Sequence, residues 1–165
     1  MVLKILLLGG HGSGKTSFII RYISGYFLKE EDLPHSRAVD FFQKNIEIDG
    51  ESVELDLWDF GPEEGFRFLL QQYSKKTSGA IYVCDITNPL SLKHIPDWVH
   101  IVRDYRGRVP ILLIGNKLDL KDNRAFKYSA GRKAVERYDL FDYVELSTKT
   151  GENFENAIFE TFGKK

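Results

Sequence analysis

Two hydrophobic periods run along this chain. Residues 2–8, Val-Leu-Lys-Ile-Leu-Leu-Leu, form an almost continuous apolar run, as expected for a strand buried on both faces of a parallel sheet. After it, Phe18, Ile19, Tyr22 and Ile23 recur at helical spacing, which predicts a helix over residues 15–25. Residues 26–37 are charged, aperiodic and interrupted by Pro34, so a long loop is expected, and long loops in compact domains tend to be functional. Over residues 38–48 the period falls to two. Phe42, Ile46 and Ile48 share one face, and Phe41, Gln43, Asn45 and Glu47 the other. Asp49-Gly50 then signals a tight hairpin. Its second strand, residues 52–58, turns Val53, Leu55 and Leu57 inward and Ser52, Glu54, Asp56 and Trp58 outward. Phe41 and Trp58 therefore stand on the polar faces of their strands.

A second loop is expected over residues 59–65, followed by a helix to about residue 73. A buried strand follows at 79–85. Asn88-Pro89-Leu90-Ser91 opens a helix reaching about residue 105, with Ser91 as its N-cap. Residues 110–115 read as a further buried strand. Amphipathic helices at 127–138 and 152–162 enclose a last strand at 143–146. Strands alternating with helices predict an α/β sheet, mostly parallel, with one antiparallel hairpin. Ligands of such sheets bind outside the carboxyl ends of the strands. The loop after the first strand, Asp59, Asn116 and Ser147 all follow predicted strands, so they converge on one rim.

Composition narrows the class. The chain has 165 residues, 42% apolar and 28% charged, with a net charge of −1; one domain, residues 1–165, is the expectation. This balance argues against a general nucleic-acid binder or a polybasic membrane surface. The single cysteine, Cys84, lies in an apolar run and reads as a small buried hydrophobe of a reducing compartment. No apolar run approaches membrane-spanning length and no signal peptide is evident, so a cytoplasmic location is expected.

The candidate chemistry centres on Gly9-Gly10-His11-Gly12-Ser13-Gly14-Lys15-Thr16, which fits G-x-x-x-x-G-K-[ST]. Strand, glycine loop and helix follow one another as this phosphate-binding motif requires. Glycines let successive N–H groups face phosphate oxygens, and the helix N-terminus adds partial positive charge. Gly12, Ser13, Gly14, Lys15, Thr16 and Ser17 are the phosphate-binding candidates. Lys15 reaches the β- and γ-phosphates and the Thr16 hydroxyl ligates Mg²⁺.

Asn116-Lys117-Leu118-Asp119 follows the strand at 110–115. N-K-x-D at this point resembles the guanine-specificity motif of small GTPases. Asp119 accepts hydrogen bonds from the ring N–H and the exocyclic amine of guanine. Adenine leaves that carboxylate unpaired, and sites built this way discriminate by about 10⁴–10⁵. The stem of Lys117 lies along the base. Ser147-Thr148-Lys149 resembles the family's S-A-K loop, whose backbone N–H meets the guanine carbonyl, with Thr148 in place of Ala. Phe27 matches the aromatic that packs edge-on against the base. Tyr82-Val83-Cys84-Asp85-Ile86-Thr87-Asn88 resembles the family's Y-D-I-T-N segment. Over residues 2–162 the chain resembles a Ras-superfamily domain, closest to Rab-like members. The resemblance implies a P-loop G domain, six strands flanked by about five helices, with GTP or GDP and Mg²⁺ as ligands.

The switch segments depart from the family pattern. Aligning Val39-Asp40-Phe41 with G-V-D-F puts Ser36 where a Thr ligates Mg²⁺ in the GTP state, in a loop about two residues longer than usual. In place of W-D-T-A-G-Q-E stands Trp58-Asp59-Phe60-Gly61-Pro62-Glu63-Glu64. Asp59 keeps the role of holding the Mg²⁺ shell through water. Pro62 occupies the Gly whose N–H senses the γ-phosphate, and proline has no N–H. Glu63 occupies the Gln that orients the attacking water. An ionised carboxylate donates no hydrogen bond, although it can serve as a general base. Intrinsic hydrolysis, with Lys15 and Glu63 as the catalytic candidates, is expected to be slow. His11 stands where Ras has a Gly, and reads as neutral.

Phe41, Trp58 and Tyr73 align with the aromatic triad that Rab-like proteins present to effectors. The chain ends Phe162-Gly163-Lys164-Lys165, without a lipidation motif, so membrane association is expected only through a missing tail or a partner. Two function classes follow: a monomeric GTP-hydrolysing switch with effector, exchange-factor and activating-protein partners, or a non-catalytic nucleotide-bound adaptor. A P-loop kinase has no lid or second-substrate site in this sequence.

Overall fold

A computed structural model describes residues 1–29, 39–61 and 72–156. Its strands are β1 (Val2–Leu8), β2 (Val39–Ile48), β3 (Glu51–Phe60), β4 (Thr77–Asp85), β5 (Ile111–Asn116) and β6 (Asp142–Glu145). They form one sheet in the order β2-β3-β1-β4-β5-β6. Every neighbouring pair is parallel except the hairpin of β2 and β3. The helices are α1 (Lys15–Ser24), α2 (Ile95–Arg106) and α3 (Tyr128–Tyr138), with a 3₁₀ segment over Leu118–Asn123. Residues 72–73 and 154–156 are also helical. Among the described residues no helix is long and apolar enough to cross a membrane.

The apolar run of β1 explains the layering. Ile5 and Leu7 point to one face of the sheet, where they meet Phe18 and Ile19 of α1 and also Phe154. Leu6 and Leu8 point to the other, where they meet Ile95, Trp98 and Val102 of α2 and Ala134 of α3. Leu6 and Leu7 are fully covered, and burial of such a side chain contributes about 1.5–3 kcal/mol. Cys84 is buried in the second of these layers, and burial pushes its thiol well up.

The order of the strands places the site. The connection after β1 leads to β2 and β3 on one side of it, and the connection after β3 leads to β4 on the other, so β1 ends at a topological switch point, where open α/β sheets bind ligands. The β2–β3 hairpin turns at Asp49 (φ 52°) and Gly50 (φ 80°), with Ile48 opposite Glu51. Positive φ at both central residues is the type I′ geometry that suits strand twist.

Three expectations from the sequence change. Ser91 is not a helix cap: α2 begins at Ile95, with His94 at its N-cap. The Ser91 hydroxyl instead accepts from the Asp85 N–H at 2.8 Å. Asn88 closes a local turn by accepting from the Leu90 N–H at 3.0 Å. Asp59 is not in a loop either; β3 runs on to Phe60 because β1 and β2 flank it, with Asp59 opposite Asp40 and beside Leu7. Third, Asn116 ends β5 rather than following it, in register with Asp85.

Candidate functional site

The glycines after β1 bend as a phosphate cradle must. Gly9, Gly12 and Gly14 have φ of 148°, 73° and 94°. A Cβ on Gly9 would lie 2.3 Å from the Val83 carbonyl oxygen, and one on Gly14 would lie 2.2 Å from Asn116 Nδ2. Both positions exclude a side chain on space as well as on backbone conformation. Gly14 caps α1 with no side-chain hydrogen bond, so the first N–H groups of that helix are left for a ligand.

Directly after the loop, Lys15 is buried at 7% exposure. Desolvation pulls its ammonium pKa down, opposed by the charge of Asp59. Asp59 is also buried, at 4% exposure. Desolvation pushes its carboxyl up, against the attraction of Lys15 and a hydrogen bond from Thr16, and with help from Asp40. The Thr16 hydroxyl donates to Asp59 Oδ2 at 2.6 Å. Hydroxyl and carboxylate oxygens are hard donors of the kind Mg²⁺ takes, a few from protein and the rest from water and phosphate. The pair thus fits a Mg²⁺ site beside a cationic lysine. Ser17, the next residue, is buried in the first turn of α1.

The 116–119 and 147–149 loops are tied to the glycine loop through the Asn116 side chain. Asn116 is buried at 1% exposure. Its Nδ2 donates to the Ser13 carbonyl at 2.9 Å and to Thr148 Oγ1 at 3.3 Å. Its Oδ1 accepts from the Thr148 N–H at 3.1 Å. Lys117 sits in the left-handed region at φ 70°, and its Nζ pairs with Asp85 Oδ2 at 2.8 Å. With the head held there, the aliphatic stem has a fixed course. Asp119 is half-buried; one of its oxygens accepts from the Ser147 hydroxyl at 2.6 Å. A carboxylate has about four acceptor positions, so capacity for two more donors remains. The Ser147 hydroxyl in turn accepts from the Thr150 N–H at 3.0 Å. Ser147 and Thr148 are buried and Lys149 is exposed.

Gly12, Ser13, Gly14, Lys15, Thr16 and Asp59 are therefore gathered with Asn116, Lys117, Asp119, Ser147 and Thr148 on one rim. Phe27 follows α1, half-buried. Ser36, Pro62 and Glu63 lie outside the described residues.

The sequence reading missed the support beneath the base loops. Asp85 accepts from both the N–H and the hydroxyl of Thr87, at 2.8 and 2.6 Å, in addition to Lys117. Its signal was available: a carboxylate closing a buried apolar strand on the same rim. Arg124 forks onto Glu145 at 3.0 and 3.2 Å, and Tyr143 donates to the same carboxylate at 2.8 Å. This holds the segment after the 3₁₀ turn against β6, next to Leu146 and Ser147. Nothing in local spacing marks that pairing.

On the outer edge, Phe41 lies opposite Trp58 in register, with ring centroids 5.1 Å apart, edge to face. Tyr73 packs on Trp58 at 5.3 Å. Phe41 is 49% exposed, as its place on the polar face predicts. Trp58 is more covered than that reading expected, because it packs against the core layer as well as Phe41 and Tyr73, and Lys4 Nζ lies over its ring at 4.2 Å. Lys4 also donates to the Tyr73 and Lys75 carbonyls.

Comparison with known proteins places the chain in a family. A family model described as the Ras family matches residues 4–165. Ras-related protein Rab-30 of Homo sapiens is 33% identical over 158 residues, covering 95% of this chain and 76% of that protein. Ras-related protein Rab-1 of Theileria annulata is 35% identical over 163 residues, covering 98% and 72%. Ras-related protein Rab-19 of Homo sapiens is 32% identical over 156 residues, covering 94% and 71%.

Proposed function

This chain belongs to the Ras family of small GTPases, and we propose that it is a Mg²⁺-dependent switch of Rab type that hydrolyses GTP slowly unaided. Guanine-nucleotide binding, and dealings with effector and regulator proteins, follow from the family. The contact that best supports the assignment of residues is the buried Asn116 side chain, bonded to Ser13 of the phosphate loop and Thr148 of the base loop. That bonding supports reading the phosphate and base loops as one site.

In this reading the P-loop N–H groups and Lys15 hold the β- and γ-phosphates. Thr16 would hold Mg²⁺, with Asp59 ordering its water shell and Ser36 joining in the GTP state. Mg²⁺ held there would neutralise charge that develops on the phosphate oxygens. Asp119 reads the ring N–H and amine of guanine; the 147–149 loop reads the carbonyl. Water attacks the γ-phosphorus in line, the bond to the β-phosphate oxygen breaks, and GDP and phosphate leave. Pro62 removes an N–H from the γ-phosphate and Glu63 replaces a neutral water-orienting side chain, which slows that step. The Phe41–Trp58–Tyr73 cluster presents the nucleotide state to effectors, as an aromatic hot spot suits.

The same Pro62 and Glu63 favour a second reading, a persistently loaded adaptor without useful hydrolysis. Nucleotide extracted from freshly purified protein and followed over time separates the two. Slow conversion of bound GTP to GDP is the expected result; GTP retained indefinitely supports the adaptor.

A further inference from the structure

We propose that Arg21 is a positioning residue for base recognition, acting from α1 on the 147–149 loop. This rests on the reading of that loop as the partner of the guanine carbonyl. Arg21 lies on the helix that begins with Lys15 and Thr16. Its Nη1 donates to the Thr148 carbonyl at 2.9 Å and to the Lys149 carbonyl at 3.2 Å. The guanidinium also lies 5.7 Å from the centroid of the Phe154 ring.

The loop is shaped around this contact. Gly151 has φ +83°, and a Cβ there would lie 2.5 Å from Arg21 Nη2. The chain thus turns back past the guanidinium at a residue that carries no side chain. Gly151 is itself tied into the loop by its N–H, which donates to the Ser147 carbonyl at 2.9 Å.

The effect on recognition follows from peptide geometry. The Thr148 carbonyl and the Lys149 N–H belong to one planar unit, and a trans peptide carries them on opposite edges. No cis peptide occurs among the described residues. Holding the oxygen therefore sets the direction of the Lys149 N–H. The Thr148 N–H is already committed to Asn116 Oδ1. A charged donor on the oxygen side also polarises the unit and makes its N–H a stronger donor. Arg21 thus couples the phosphate helix to the donor strength and direction of the base loop.

The test uses two nucleotides and the intact protein. GDP is compared with 6-thioguanosine diphosphate, which keeps the ring N–H, the amine and the phosphates but offers sulfur, a weak acceptor, in place of the carbonyl oxygen. Arg21→Met is expected to weaken GDP about tenfold, the net size of one charged hydrogen bond, and the thio analogue by less than about twofold. Arg21→Lys recovers part of the loss. Gly151→Ala, which crowds the guanidinium, reproduces the Arg21→Met pattern and carries the test if that variant does not fold. Equal losses for both nucleotides, or no loss for either, overturn the proposal while leaving the loop's reading intact. Equal binding of the two nucleotides by the unaltered protein overturns the loop's reading, and this proposal with it.

Discussion

Asn116 Nδ2 donates to the Ser13 carbonyl at 2.9 Å, so the end of β5 is bonded to the loop that follows β1, across the intervening β4. The same amide accepts from Thr148 and fills the space a Gly14 side chain would need. The two loops are thereby held in one arrangement.

Asn116→Ala leaves the Ser13 carbonyl and the buried Thr148 N–H without these partners. Each orphaned group costs about 1–3 kcal/mol. GDP release, followed with a fluorescent nucleotide, is expected to accelerate by about a hundredfold. A change of less than about threefold contradicts the bridging role.

The Lys15–Asp59 pair predicts a pH dependence of the nucleotide-free protein. The Asp59 carboxyl pKa is raised in the folded state, by desolvation first, with Asp40 adding to it and Lys15 and Thr16 opposing it. Between the unfolded value near 3.9 and the higher folded value, the folded protein holds more proton. Stability from this group is therefore fully present below about pH 4 and is lost as pH rises through the folded value. Lys15, with its pKa lowered by burial, acts oppositely on the alkaline side, where stability is gained as pH rises. Urea unfolding across acidic pH should show the Asp59 slope, and Asp59→Asn should remove it. An unchanged slope in that variant places the titration elsewhere.

The aromatic face divides into an exposed and a supporting part. Phe41→Ala removes a half-exposed ring and an edge-to-face pair worth about 1 kcal/mol, so denaturant unfolding should shift little. Trp58→Ala also removes packing against the core and the Lys4 contact, and should cost roughly 2–3 kcal/mol. Equal losses in the two variants contradict this division.

How much of this was legible in the sequence depends on the range of each interaction. The run of β1, the glycine loop and the Asp49-Gly50 turn are local signals, and each lies where the periodicity put it. The Ser91 cap failed because the end of β4, not the following helix, takes its hydroxyl. The burial of Trp58 depends on the core layer beneath it together with Tyr73 and Lys4, which alternation within β3 cannot reveal. Arg21 lies 127 positions from Thr148, so its place in the site appears only once α1 and the loop after β6 are packed together.

Switch two carries its own test. Pro62→Gly combined with Glu63→Gln restores a main-chain donor and a side chain that both donates and accepts. Single-turnover GTP hydrolysis is expected to rise about tenfold or more. An unchanged or slower rate contradicts the proposal that these two residues slow hydrolysis.

Guanine recognition by the Asp119 carboxylate and its neighbours, on a phosphate site built by Lys15 and Thr16, is the proposal on which the others rest. Its most direct test is the affinity of GDP and ADP, each with Mg²⁺, for the unaltered protein and for Asp119→Ala. GDP is expected to bind the unaltered protein about 10⁴-fold more tightly than ADP, and the substitution to remove most of that ratio by weakening GDP alone. Comparable affinities for the two nucleotides, or a preference that survives the loss of Asp119, contradict it.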